Sequence, residues 1–171
     1  MSSTATHHEH KSHAPRSIGC VVITCSDTRT PETDTSGYHI MHMLKDAGHS
    51  IVAYHLVKDE PAKIKATIKS AVANKKVQAI IINGGTGISR RDSTFEAVDA
   101  MLEKRLDGFG EVFRYLTYQD IGSPAIMSRA TAGIIKGRVL FSTPGSENAV
   151  RLAMEKLILP ELGHLVKELT K

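Results

Sequence analysis

Apolar positions along this chain follow two rhythms, continuous runs and a spacing of three to four. Ile18–Thr24 is an unbroken apolar run, the pattern of a strand covered on both faces. A turn-rich loop follows, Ser26-Asp27-Thr28-Arg29-Thr30-Pro31; then Ile40, Met41, Leu44 and Ala47 recur at helical spacing, and Gly48 supplies a stop. Ile51–Val57 reads as a second strand. Asp59-Glu60-Pro61 opens a helix with proline at its first position and acids at the positive end of its dipole, and Ile64, Ile68, Ala71 and Val72 form its core face. Val77–Asn83 is a third strand, broken by Gly84-Gly85-Thr86-Gly87. Ser93-Thr94-Phe95-Glu96 reads as a capping box for a helix that buries Phe95, Val98, Met101 and Leu102. Helical pattern covers roughly residues 109–133, interrupted at Gly122-Ser123-Pro124. Arg138–Ser142 is a strand closed by Thr143-Pro144-Gly145-Ser146. The last helix carries Val150, Ala153, Met154, Leu157 and Ile158, with a stop or kink at Pro160.

Strands that alternate with helices predict parallel βαβ units and an α/β fold with a doubly wound sheet. Ligands of such sheets sit outside the carboxyl ends of the strands. Four unusual loops each follow a predicted strand: Ser26-Asp27, Asp59-Glu60, Gly84–Asp92 and Pro144-Gly145-Ser146. Parallel strands would crowd all four onto one edge. Residues 1–17 are polar and unpatterned, a flexible arm holding four of the nine histidines, and residues 18–171 read as a single domain.

Composition removes whole classes. A chain of 171 residues, 41% hydrophobic and 23% charged, is neither a disordered tail nor a disulfide scaffold. No stretch approaches the ~20 apolar residues of a membrane span, and no secretory signal is expected. Cys20 and Cys25 lie in one strand, ~16 Å apart on opposite faces, so they cannot pair and read as reduced thiols of a cytoplasmic protein. A net charge of +4 and the absence of Trp argue against nucleic acid as partner.

The Gly84–Gly87 loop can bring its backbone close to a ligand, and its N–H groups, followed by a helix N-terminus, would cradle an anion. No Walker lysine follows, and Arg90 stands where a dinucleotide fingerprint needs glycine. Arg90, Arg91 and Asp92 in the same loop suit phosphate and metal chemistry. Asp59 and Asp92 could hold Mg²⁺ through waters, and Asp27 is either a third acid or an Asx turn. Ser146 caps the last helix, and Arg129 is either a phosphate partner or a surface charge. His39 and His42 could meet on one helix face, without a third ligand nearby.

These residues together resemble a known family. Asp59, Gly84-Gly85-Thr86-Gly87 with Arg91-Asp92, and Pro144-Gly145-Ser146 resemble the molybdopterin-binding MoaB/Mog proteins, from about residue 17 to the C-terminus. The run Gly108–Arg114, Ile121-Gly122 and Ser128-Arg129-Ala130 resemble the MoaB branch in particular. The resemblance implies a three-layer α/β/α sandwich with a mostly parallel sheet, and adenylylation of molybdopterin by Mg-ATP. Asp59 and Asp92 would be the essential acids and hold Mg²⁺. Ser26, Asp27, Gly84, Gly85, Thr86, Gly87, Arg91, Ser128, Pro144, Gly145 and Ser146 would bind pterin and phosphate. Asp92 is followed by Ser93-Thr94-Phe95 where the Mog branch has Val-Thr-Pro, so the alternative is a catalytically silent molybdopterin-binding oligomer. The branch also implies self-assembly, a trimer-based hexamer. Phe109, Val112, Phe113, Tyr115 and Leu116 offer surplus apolar surface for that contact, with Phe113 expected within it.

Overall fold

The computed structural model describes residue 15 and residues 17–90 and 92–171. Nearly all of the expected N-terminal arm, and Arg91, lie outside the described residues. Among the described residues six strands, β1 (Gly19–Cys25), β2 (Ser50–Val57), β3 (Ala79–Asn83), β4 (Lys104–Arg105), β5 (Thr131–Ile135) and β6 (Arg138–Thr143), form one sheet ordered β2-β1-β3-β6-β5-β4. β2, β1, β3 and β6 run parallel, whereas β5 opposes both β6 and β4. The sheet is therefore mostly parallel, and its order reverses beside β1, where a crevice for ligands is expected.

The helices are α1 (Thr35–Asp46), α2 (Pro61–Ala73), α3 (Thr94–Asp99), α4 (Asp107–Ile121), α5 (Glu147–Ala153) and α6 (Leu159–Leu169). Strand side chains alternate between two cores. Cys20, Val22, Ala79, Ile81, Val139 and Phe141 meet α1, α4, α5 and α6, through Ile40, Leu44, Phe113, Val150 and Leu162 among others. Val21, Ile23, Cys25, Ile80, Ile82 and Leu140 meet α2 and α3 through Ile64, Ile68, Ala97 and Val98. That is a three-layer α/β/α sandwich. The period of two also puts Cys20 and Cys25 in different cores, both as free thiols, and burial pushes each thiol up to about 12.

Four expectations are corrected. The helical stretch over 109–133 ends at Ile121, followed by a 3-10 turn at Ser123–Met127; Thr131–Ile135 is strand β5, joined to β6 by Lys136-Gly137. Both residues of that turn have positive φ, 46° and 70°, as a two-residue hairpin of right-handed strands requires. Second, Ser93 does not cap α3 with its side chain, because that hydroxyl is turned to Asp59. Third, Phe113 is 0% exposed and stacks near Phe109 in the first core, so it is no subunit contact. Lastly, Phe95 is only half-buried, under the Arg129 guanidinium.

Pro160 neither stops nor sharply ends the final helix. It lacks the N–H that would reach the Lys156 carbonyl, and its ring crowds that carbonyl. The chain answers with a π turn over Met154–Ile158, and α6 runs on to Leu169.

Candidate functional site

The carboxyl ends of β1, β3 and β6 are polar where the rest of each strand is apolar. Thr24, Asn83, Ser142 and Thr143 are all buried there. Asn83 Nδ2 donates to Thr24 Oγ1 at 2.8 Å, tying β3 to β1, and Thr143 Oγ1 donates to the Ile82 carbonyl at 3.3 Å, tying β6 to β3. Above this floor the loops surround a cavity of ≈ 500 Å³. The lining mixes loop backbone and small polar side chains, Ser26, Gly84 to Gly87, Asp92, Gly145 and Ser146, with the apolar Ile121, Pro124, Met127 and Ala149.

Most of the residues singled out in the sequence come together here. Ser26, Gly84, Gly85, Thr86, Gly87, Asp92, Ser128, Pro144, Gly145 and Ser146 all line the cavity. Asp27 and Asp59 do not. Asp27 Oδ1 accepts the Asp59 amide at 3.3 Å, so it shapes the loop that carries Asp59. Arg90 is exposed and lines no part of the cavity, and Arg91 is outside the described residues.

Asp59 lies directly beneath the glycine loop. Its Oδ1 accepts from the Ser93 amide (3.1 Å), the Ser93 hydroxyl (2.8 Å) and the Thr94 hydroxyl (3.3 Å). The start of α3 is therefore occupied by this chain's own carboxylate, and the expected helix N-terminus behind the cradle is not open to a ligand. Gly84 and Gly85 adopt φ of 95° and 62°. A Cβ on Gly84 would meet the Cys25 carbonyl, and one on Gly85 would meet Thr94 Oγ1 and Asp59 Oδ2. Glycine is needed here for loops to close on each other; ligand approach is a second consequence.

Asp92 faces the cavity from the far end of the same loop. Hydrogen bonds from Ser89, then the Gly87 amide and the Arg129 charge, outweigh burial and hold its carboxyl below the ordinary value. Its Oδ2 accepts the Ser89 amide at 2.9 Å. Arg129 resolves as a clamp on this loop. Nε donates to the Thr86 carbonyl at 3.1 Å, Nη2 to the carbonyls of Gly87 and Asp92, and Nη1 to Glu96, while the guanidinium covers Phe95 at 5.0 Å. Its hydrogen bonds are directed at the protein. The Arg129 bond also keeps Glu96 ionised below its ordinary value.

Two residues of the site went unread in the sequence as site residues. Arg29 lines the cavity and Asp34, beneath it, is 3% exposed. An aspartate directly before Thr35-Ser36-Gly37 carries a helix-capping signal, and Asp34 Oδ1 does accept the Gly37 amide at 3.1 Å. Ser146 caps α5 as expected, accepting from the Ala149 amide at 3.3 Å. His42 packs on the Tyr38 ring, 4.4 Å between centroids, and among the described residues no three His, Cys, Asp or Glu side chains gather as a metal site.

Fold and carboxyl-edge cavity together define an α/β domain built to bind a ligand at the carboxyl ends of its strands. The family model described as probable molybdopterin binding domain matches residues 21–164, and the chain belongs to that family. Its similarity is to the proteins called molybdenum cofactor biosynthesis protein B. The one from Bacillus subtilis is 53% identical over 164 residues, 95% of this chain and 96% of that protein. A crystal structure under the same name has a TM-score of 0.89 at 50% identity, covering 92% of this chain and 99% of that one. The tungsten cofactor synthesizing protein MoaB from Pyrococcus furiosus has a TM-score of 0.83 at 36% identity, over 92% of this chain and all of that one (100%).

Proposed function

We propose that this chain acts in molybdenum or tungsten cofactor biosynthesis by joining AMP from Mg-ATP to the terminal phosphate of molybdopterin. The observation that carries this reading is the mixed polar and apolar lining of the cavity at the carboxyl edge. A fused pterin ring suits the apolar side chains of Ile121, Pro124 and Met127, and a phosphate suits the amide-rich backbone of Gly84 to Gly87 and Ser146. A pterin phosphate oxygen attacks the α-phosphorus of ATP. The bond from that phosphorus to the β-phosphate bridging oxygen breaks, and its electron pair leaves with pyrophosphate.

The attacking oxygen is already an anion, so no general base is required. The barrier lies in bringing two polyanions together, which positioning and charge neutralisation lower. The residues present fit Mg²⁺, which takes one or two carboxylates and completes its shell with waters and substrate phosphates. Asp92, ionised and open to the cavity, would hold it directly. Asp59 engages Oδ1 with Ser93 and Thr94, lies beneath the glycine loop and lines no part of the cavity, so any contact it makes with the ion would run through water. When bound, the ion offsets the charge of the nucleotide phosphates. The proposal includes a cytoplasmic homo-oligomer, a trimer-based hexamer, supported by the exposed Tyr38, Val112 and Tyr115.

Purified protein incubated with molybdopterin and Mg-ATP should yield a pterin heavier by one adenylyl group, and Asp92→Ala should yield none while melting at the wild-type temperature. Molybdopterin that binds tightly and stays unmodified beside intact ATP would overturn the transfer and leave a molybdopterin-binding oligomer in its place.

A further inference from the structure

A site for two polyanions needs fixed positive charge, and the cations near this one are unequally placed. Arg129 directs its hydrogen bonds at the carbonyls of Thr86, Gly87 and Asp92 and at Glu96. Arg90 lies outside the cavity wall. Among the described residues, Arg29 is the only basic side chain that lines the cavity.

Arg29 is held as a presented charge is held. Ser26 Oγ accepts its amide at 3.1 Å and so forms the turn that carries it. Nη1 donates to Asp34 Oδ1 at 3.0 Å and Nη2 to the Gly145 carbonyl at 2.7 Å. Asp34 in turn accepts from the Gly37 amide and, at 2.6 Å, from the Tyr54 hydroxyl, whose own pKa is raised by burial and by this bond. The Gly145 carbonyl is also fixed by Ser36 Oγ at 2.8 Å. A guanidinium has five N–H donors. These contacts use two of them, and the rest remain on a side chain that is 27% exposed at the cavity wall. Its planar fork suits a phosphate oxygen pair.

We infer that Arg29 is the cavity's phosphate-binding cation, oriented by the buried Asp34, itself held by Tyr54, and by the Gly145 carbonyl. This deepens the proposed function and rests on it for the identity of the phosphate, which belongs either to molybdopterin or to ATP. Arg29 also joins the loop after β1 to the loop after β6, so phosphate bound there engages both loops at once.

The test is calorimetric titration of ATP, of molybdopterin and of inorganic pyrophosphate into wild type, Arg29→Ala and Arg29→Lys, with melting temperatures on the same samples. Loss of a charge-assisted hydrogen bond should weaken binding about tenfold to hundredfold in Arg29→Ala. Arg29→Lys, which keeps the charge and loses the fork, should fall between and carries the test if the alanine variant does not fold. A loss confined to ATP assigns Arg29 to the nucleotide, and one confined to molybdopterin assigns it to the pterin phosphate; both support the inference. Wild-type affinity in Arg29→Ala, or equal loss of all three ligands in both variants, would overturn it, as would a wild type that binds none of them. Arg29-dependent pyrophosphate binding without any adenylyl transfer would sink the proposed function and leave this inference standing.

Discussion

Gly85 shows how tightly the acid and the loop are coupled. Its φ of 62° is a left-handed conformation, and a Cβ there would collide with Thr94 Oγ1 and Asp59 Oδ2. Gly85→Ala should therefore lower stability by about 1–3 kcal/mol through backbone strain and displacement of Asp59. A thermal melt reads the first effect, and transfer activity at saturating ligands reads the second. An alanine variant that melts and turns over like wild type would show that the loop relaxes freely and that Asp59 does not depend on it. Several site residues were legible in the sequence because each follows a strand and is of a type that marks a turn or an anion site: Gly84 to Gly87, Asp92, Gly145, Ser146. Arg29 was not, because its acceptor at Gly145 is 116 positions away and no local pattern links them. Arg129 was left open for the same reason, since Thr86 is 43 positions distant.

The described residues from Gly84 to Asp92 form no regular element, so something else must hold them. Arg129, from the segment between α4 and β5, supplies that hold through three carbonyls. Arg129→Ala should speed amide exchange over residues 86–92 by about tenfold or more, as local opening becomes easier, while the melting temperature moves little. Unchanged protection in that loop would mean the clamp contributes nothing. The elements themselves were read well where hydrophobic period was strong, as in β1, α2 and β3. The expected helix runs into the first part of β5, as far as residue 133, because Ala132, Gly133, Ile134 and Ile135 show no alternation. The signal present was Lys136-Gly137, a hairpin turn without the usual Asn or Asp at its first position. The capping box at Ser93 failed for a tertiary reason, since Asp59 competes for the same hydroxyl.

For the molecule as a whole, acid stability depends on Asp34. Burial opposes its charge, but hydrogen bonds from Thr24, Tyr54, Gly37 and Arg29 overcome this and hold its carboxyl below the ordinary value. Its contribution is then complete above the unfolded value of about 4 and is lost as pH falls through the lower folded value. Melting temperature should hold steady near neutrality and drop on acidification, and Asp34→Asn should flatten that drop. A wild type and variant with parallel acid profiles would remove Asp34 from the account. The large apolar side chains that remain exposed lie on α1, on α4, in the turn after α4 and, at Ile88, in the glycine loop, with Tyr115 at 61%. Tyr115→Glu should yield smaller particles by light scattering without lowering the melting temperature of the subunit fold; a wild type that is monomeric at micromolar concentration would contradict assembly. The central claim, however, is transfer, and pyrophosphate release titrated against molybdopterin tests it most directly. One pyrophosphate per molybdopterin added, and none in its absence, is the predicted result. Release that continues without molybdopterin, or no release at any molybdopterin concentration, would contradict it.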